Sequence, residues 1–113
     1  MRVIGERNDL TQDIRSLLEE AETLTANNDK LKLVVAFNYG GKAEIADAVR
    51  QIARDVAAGR LTPDEITEAT VEQALYTSGI PDPDLIIRTS GEQRVSNFLL
   101  WQGAYSELVF VEQ

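Results

Sequence analysis

Apolar positions along this chain follow two rhythms that alternate: short runs that are apolar at nearly every residue, and longer stretches where apolar residues recur every third or fourth position. Arg2-Val3-Ile4-Gly5 reads as the end of a strand. A helix is predicted from Asp9 to about residue 26, with Asp9 and Gln12 as its capping pair and Ile14, Leu17, Leu18, Ala21 and Leu24 as one apolar stripe. Leu31-Lys32-Leu33-Val34-Val35-Ala36-Phe37 is β-branched and largely apolar, the pattern of a strand covered on both faces. It ends at Asn38-Tyr39-Gly40-Gly41, a strand-to-helix turn in which glycine permits positive φ and close packing. A second helix is predicted over residues 42–58, with Ala46, Val49, Ile52, Ala53 and Val56 facing inward and Gly59 stopping it.

Thr62-Pro63-Asp64-Glu65 has the form of a capping box with Pro at the first helical position, and Thr70 with Gln73 forms another, so two short helices are expected there. Pro81 and Pro83 bracket an extended approach to the strand Leu85-Ile86-Ile87. A helix near residues 98–104 and a final strand at 108–111 complete the reading. Strands alternating with helices imply an α/β fold with a parallel-sheet core and flanking helices. Residues 1–113 then form a single, partial α/β domain, small for its class and cut at both ends. The strands at 2–5, 31–37 and 85–87 are expected to lie parallel in one sheet, which would gather Arg88, Arg94, Ser96 and the 38–41 turn at one edge.

The chemistry concentrates after the third strand. Thr89-Ser90-Gly91 forms the turn at its carboxyl end, and Ser96 is placed to cap the following helix so that backbone N–H groups point back at the loop. Arg88 and Arg94 can then fork onto one anion from the strand end and the loop, the arrangement a diphosphate requires. Taken alone, the two arginines would more simply bridge to Asp82, Asp84 or Glu92, and Ser96 would be only a helix cap.

Composition narrows the alternatives. A formal net charge of −8 leaves no basic face for nucleic acid or for more than peripheral contact with an anionic membrane. No apolar run approaches the roughly 20 residues that span a bilayer, and no secretory signal opens the sequence, so a cytoplasmic location is expected. Cys and His are both absent, which removes disulfides, thiolate chemistry, imidazole bases and His-ligated metals. Acid–base or metal chemistry must therefore use Asp, Glu, Tyr, Lys or water.

Three blocks carry a resemblance: Asn38-Tyr39-Gly40-Gly41, then Arg88-Thr89-Ser90-Gly91-Glu92-Gln93-Arg94-Val95-Ser96-Asn97-Phe98-Leu99-Leu100-Trp101-Gln102, then Ala104-Tyr105-Ser106-Glu107-Leu108. In order and spacing they resemble the cis-prenyltransferases, the family of undecaprenyl diphosphate synthase. Lys42 stands where that family usually has Arg, and Gln93 where some members have His, which puts a proton or metal role at 93 in doubt. The resemblance covers the carboxyl half of such an enzyme. The family's opening Asp-Gly-Asn-Gly-Arg segment with its catalytic, metal-binding aspartate is absent, as are the Ser-x-x-Asn-Trp region and the closing Trp-Pro-Asp-Phe segment.

By this resemblance Arg88, Arg94 and Ser96 grip the diphosphate of isopentenyl diphosphate, and Glu107 joins a Mg²⁺ site, in some members by reaching across a homodimer interface. Glu92 is expected to orient an arginine, and Tyr39 is more simply part of the turn than of a substrate cleft. The implied reaction is repeated condensation of isopentenyl diphosphate with an allylic diphosphate such as farnesyl diphosphate. No catalytic residue of the chain itself is implied, so these residues alone are expected not to turn over. Two other readings fit: a noncatalytic subunit of a heteromeric prenyltransferase, and a stand-alone phosphate-binding α/β module.

Overall fold

The computed structural model describes residues Met1–Gln113 and divides into two compact units, Met1–Tyr39 and Gly40–Gln113. The first is a β-α-β unit. Strand β1 (Arg2–Ile4) runs parallel to β2 (Val34–Ala36), with Arg2 opposite Val34 and Ile4 opposite Ala36, and helix α1 (Gln12–Thr25) connects them. Val3 and Ile4 are buried. The helix is tied to β1 through Glu22, which accepts the Val3 backbone N–H at 3.0 Å and the Arg7 guanidinium at 2.7 Å.

The second unit begins with helix α2 (Gly41–Ala57), followed by a 3-10 turn at Pro63–Glu65 and helix α3 (Glu68–Ala74). Strand β3 (Leu85–Arg88) then pairs in parallel with β4 (Glu107–Phe110), Leu85 opposite Glu107 and Arg88 opposite Phe110. Helices α2 and α3 pack against each other around Ala48, Ile52 and Leu75.

The α/β class and the parallel pairing are as the sequence implies, but the single sheet is not formed. The strands make two separate two-stranded ribbons, β1 with β2 and β3 with β4. Ribbon faces remain open: Leu85 and Ile87, on one face of β3, are 50% and 58% exposed. A parallel sheet is normally covered on both faces.

Several local expectations are corrected. Helix α1 is capped by Thr11, whose Oγ1 accepts the Ile14 N–H, and not by Asp9. Its stripe is only half covered, with Leu17 and Leu24 exposed. The covered face of α2 is Gly41, Glu44, Ala48 and Ile52, while Val49 points to solvent. The face is turned because Glu44, a charged residue, occupies a core position. The Thr62–Glu65 capping box is present, but α3 is capped by Thr67 with Thr70 as its partner, so Thr70 lies inside the helix. Neither Gly40 nor Gly41 has positive φ; Asn38, at φ 51°, makes the left-handed bend of that turn.

No helix follows Ser96. Residues 97–105 form successive turns closed by bonds such as Gly103 N–H to the Leu99 carbonyl at 2.8 Å. Ser96, Asn97 and Leu99 all sit at positive φ, 49°, 65° and 48°, whereas a helix N-cap needs extended backbone. Gly103 brings this segment against β3, since a Cβ there would lie 3.0 Å from Ile86 Cδ1.

Candidate functional site: the arginine loop after the third strand

The second unit places Arg88 at the carboxyl end of β3, half-buried, and Arg94 on the following loop with its side chain 73% exposed. Glu92 Oε2 lies 3.2 Å from Arg94 Nε, an ion pair within the loop. The pair is exposed and weak, so an incoming anion could displace the carboxylate at small cost. Ser96 is exposed and its hydroxyl caps no helix.

The loop is fastened at both ends. At its start, Ser90 N–H bonds to the Gln113 carbonyl and Gly91 N–H to the Val111 carbonyl, each at 3.0 Å, so it folds back over the chain leaving β4. At its end, Asn97 reaches the first turn of α2. Its carbonyl accepts Gly41 N–H at 2.7 Å and its Oδ1 accepts Lys42 N–H at 2.9 Å. Helix α2 has no side-chain cap of its own, because Gly40 occupies the N-cap position. The glycine pair allows this approach. A Cβ on Gly40 would come 2.8 Å from Asn97 Nδ2, and one on Gly41 would meet Leu100 Cγ at 2.8 Å and the Asn97 carbonyl at 3.0 Å.

Behind the loop lies a polar core. Glu44 and Gln102 are buried, and Gln102 Nε2 donates to both Glu44 carboxylate oxygens and to Thr77 Oγ1. The Tyr76 backbone N–H adds a further bond to Glu44 at 2.9 Å. Sequence reading missed both Asn97 and Glu44. The signal for Asn97 was the adjacent pair of glycines, and for Glu44 its place in the i, i+4 stripe with Ala48 and Ile52. Trp101 is half-buried and lines a shallow cleft with Glu68, Glu72, Leu100 and Tyr105.

Glu107 is not beside Arg88. It opens β4 opposite Leu85, while Arg88 pairs with Phe110 at the other end of the ribbon, three residues or about 10 Å away. It is exposed, and no group of three Asp, Glu, His or Cys side chains that could hold a metal ion occurs in the structure. The residues present thus do not assemble a Mg²⁺ site by themselves.

The Prenyltransf family model, which describes undecaprenyl diphosphate synthase, matches residues 1–113, and the three motif blocks fall on the loop, its α2 joint and the start of β4. The chain belongs to this prenyltransferase family. An isoprenyl transferase of Agrobacterium fabrum is 64% identical over 113 residues, all of this chain and 46% of the relative. The trans,polycis-polyprenyl diphosphate synthase ((2Z,6E)-farnesyl diphosphate specific) of Thermobifida fusca is 55% identical, over 99% of this chain and 40% of its own length. Among solved structures, lavandulyl diphosphate synthase from Lavandula x intermedia, crystallised with dimethylallyl diphosphate, is 41% identical. It matches 99% of this chain and 48% of that one at a TM-score of 0.95. A probable undecaprenyl diphosphate synthase from Campylobacter jejuni gives 0.83 at 33% identity. The prenyltransferase chain therefore spans about half the length of the relatives it matches. No helix is long and apolar enough to cross a membrane.

Proposed function

We propose that this chain forms the isopentenyl diphosphate-binding part of a cis-prenyltransferase that elongates an allylic diphosphate such as farnesyl diphosphate. The observation that carries the reading is Arg94. It stands exposed at the middle of a loop fixed at both ends, beyond the strand end that carries Arg88, and it pairs with the partly exposed Glu92 carboxylate. Arg88, Arg94 and Ser96 hold the diphosphate oxygens of isopentenyl diphosphate. In the condensation the allylic C–O bond breaks and its diphosphate departs, the isopentenyl double bond supplies the electron pair for the new C–C bond, and a proton is then lost. The isopentenyl diphosphate group does not leave, so this loop acts by positioning the nucleophilic alkene.

The names of the relatives support the reading, including one with an allylic diphosphate bound. Glu107 supplies one carboxylate to a Mg²⁺ site whose other donors lie outside these residues. The homodimer and the cytoplasmic location follow from the same reading, and these residues alone do not turn over, since the catalytic aspartate segment is not among them.

Titration with inorganic diphosphate, followed through the NMR shifts of the 88–97 amides, tests the anion site. The expected result is saturable shifts that weaken as salt rises. Arg94→Ala should remove about 1.5–3 kcal/mol of that binding, roughly ten- to hundredfold in affinity. A folded sample whose loop amides do not respond, or respond equally in Arg94→Ala, would refute it.

A further inference from the structure

We propose that Asn97 is a positioning residue for the anion loop, acting by docking it on the amino end of α2; this rests on the diphosphate-binding reading of that loop. The joint is specific. Two acceptors of one residue, the carbonyl and Oδ1, take two consecutive orphan N–H groups of a helix that begins 56 positions earlier in the chain, at Gly41. Asn tolerates left-handed backbone better than most residues, and Asn97 needs it at φ 65° to present both oxygens to one helix end. The partner surface is shaped for the contact, because any side chain at Gly40 or Gly41 would strike Asn97.

The consequence falls on Arg94. Gly91 is fixed by the Val111 carbonyl and Asn97 by α2, which leaves only residues 92–96 between anchors, with Arg94 at their centre. Five residues held at both ends sample far fewer conformations than a loop held at one. Much of the ordering that anion binding would require is then already in place. The Gly40-Gly41 pair and the Arg-Val-Ser-Asn block, far apart in sequence, supply the two sides of this joint.

The substitution that isolates the effect is Asn97→Gly. Glycine keeps the left-handed backbone and the carbonyl bond to Gly41 but removes Oδ1. We expect the Lys42 amide to lose several-fold of its hydrogen-exchange protection. Inorganic diphosphate should bind roughly three- to tenfold more weakly, because a loop released at one end must be ordered when the anion binds. In steady-state assays of a chimera that completes this chain with the remaining half of the Agrobacterium fabrum relative, the KM for isopentenyl diphosphate should rise while kcat stays within about twofold. Asn97→Asp, which retains the acceptor, should keep the Lys42 amide protected, and it supplies the control if Asn97→Gly folds poorly.

Unchanged diphosphate affinity in Asn97→Gly, alongside a clear loss in Arg94→Ala, would overturn the positioning role while leaving the anion site standing. Loss of Lys42 protection in Asn97→Asp would overturn the docking contact itself. Diphosphate affinity unchanged in Arg94→Ala as well would sink the anion reading, and the positioning role with it.

Discussion

Gln102 donates one amide nitrogen to both carboxylate oxygens of Glu44, at 3.0 and 3.1 Å, with the two residues only 3% and 1% exposed. Glu44 belongs to the first turns of α2 and Gln102 to the turn segment that follows the arginine loop, so this contact fastens the loop's far side to the same helix that Asn97 caps. A buried polar cluster of this kind stabilises only while its members are satisfied. Glu44→Ala leaves the Gln102 amide only Thr77 Oγ1, removes the carboxylate that the Tyr76 N–H bonds, and should cost about 2–4 kcal/mol in urea denaturation. Glu44→Gln keeps the shape and one acceptor, and its new amide lies in the same cluster as Gln102 Oε1, which has no partner. Its cost should stay within about 1 kcal/mol. Equal losses for the two variants would mean that shape, and not hydrogen bonding, sets the energetics there.

The glycines divide by what surrounds them. Gly5 sits at φ 127°, and a Cβ there would lie 1.9 Å from the Phe37 carbonyl oxygen. Gly5→Ala should therefore destabilise the first unit by about 3 kcal/mol or more. Gly41→Ala should cost about 1–3 kcal/mol through overpacking on Leu100 and should disturb the Asn97 contact. Gly91, at φ 72° with open space around it, should tolerate alanine for about 1–2 kcal/mol of backbone strain. Thermal melts of the three variants check the ranking.

How much of this was legible depends on where the information sits. The presence of each strand, both longer helices and the Thr62–Glu65 box were readable because local periodicity and capping chemistry determine them, but β2 keeps only Val34–Ala36 of the apolar run at 31–37, and Leu31 and Leu33 are exposed. Glu92 was expected to orient Arg88 or Arg94, and only the structure shows that Arg94 is the one it pairs with. Ser96 was read as a cap in the wrong place: a cap exists, but the neighbouring Asn97 provides it, to α2, and tertiary contact overrides the local helix signal at 98–104. Glu44 was hidden for a related reason. Charge marks a residue as outward in any pattern analysis, and it is partners distant in sequence, Gln102 and the Tyr76 N–H among them, that satisfy the buried carboxylate.

The Glu22 tie between α1 and β1 makes stability in the first unit dependent on pH. Burial pushes the Glu22 carboxyl up, but the Val3 N–H and the guanidiniums of Arg7 and Arg2 outweigh it, and the net value lies below the ordinary 4.5. A carboxylate lowered on folding contributes its full stability above the unfolded value and loses it as pH falls through the folded one. Stability of the first unit should therefore decline as the pH falls below about 4.5. Glu22→Gln should remove about 1 kcal/mol at neutral pH and flatten that acid-side slope. A variant with an unaltered slope would assign the acid sensitivity to other carboxylates.

Glu107 offers a prediction that separates its role from that of the arginines. It stands about 10 Å along the ribbon from Arg88, near the screening length at physiological salt, and it is exposed. Removing its charge should hardly change the field at the loop, so Glu107→Gln should bind metal-free inorganic diphosphate with the affinity of the parent protein, within about twofold. The Arg94→Ala variant should lose affinity under the same conditions. In a chimera that completes this chain with the remaining half of the Agrobacterium fabrum relative, Glu107→Gln should instead raise the Mg²⁺ concentration needed for half-maximal turnover. Calorimetric titration without metal, set beside a Mg²⁺ dependence of rate, distinguishes the two contributions. Weaker metal-free binding in Glu107→Gln would place the carboxylate in the anion site itself, and an unchanged Mg²⁺ requirement would remove it from the metal site.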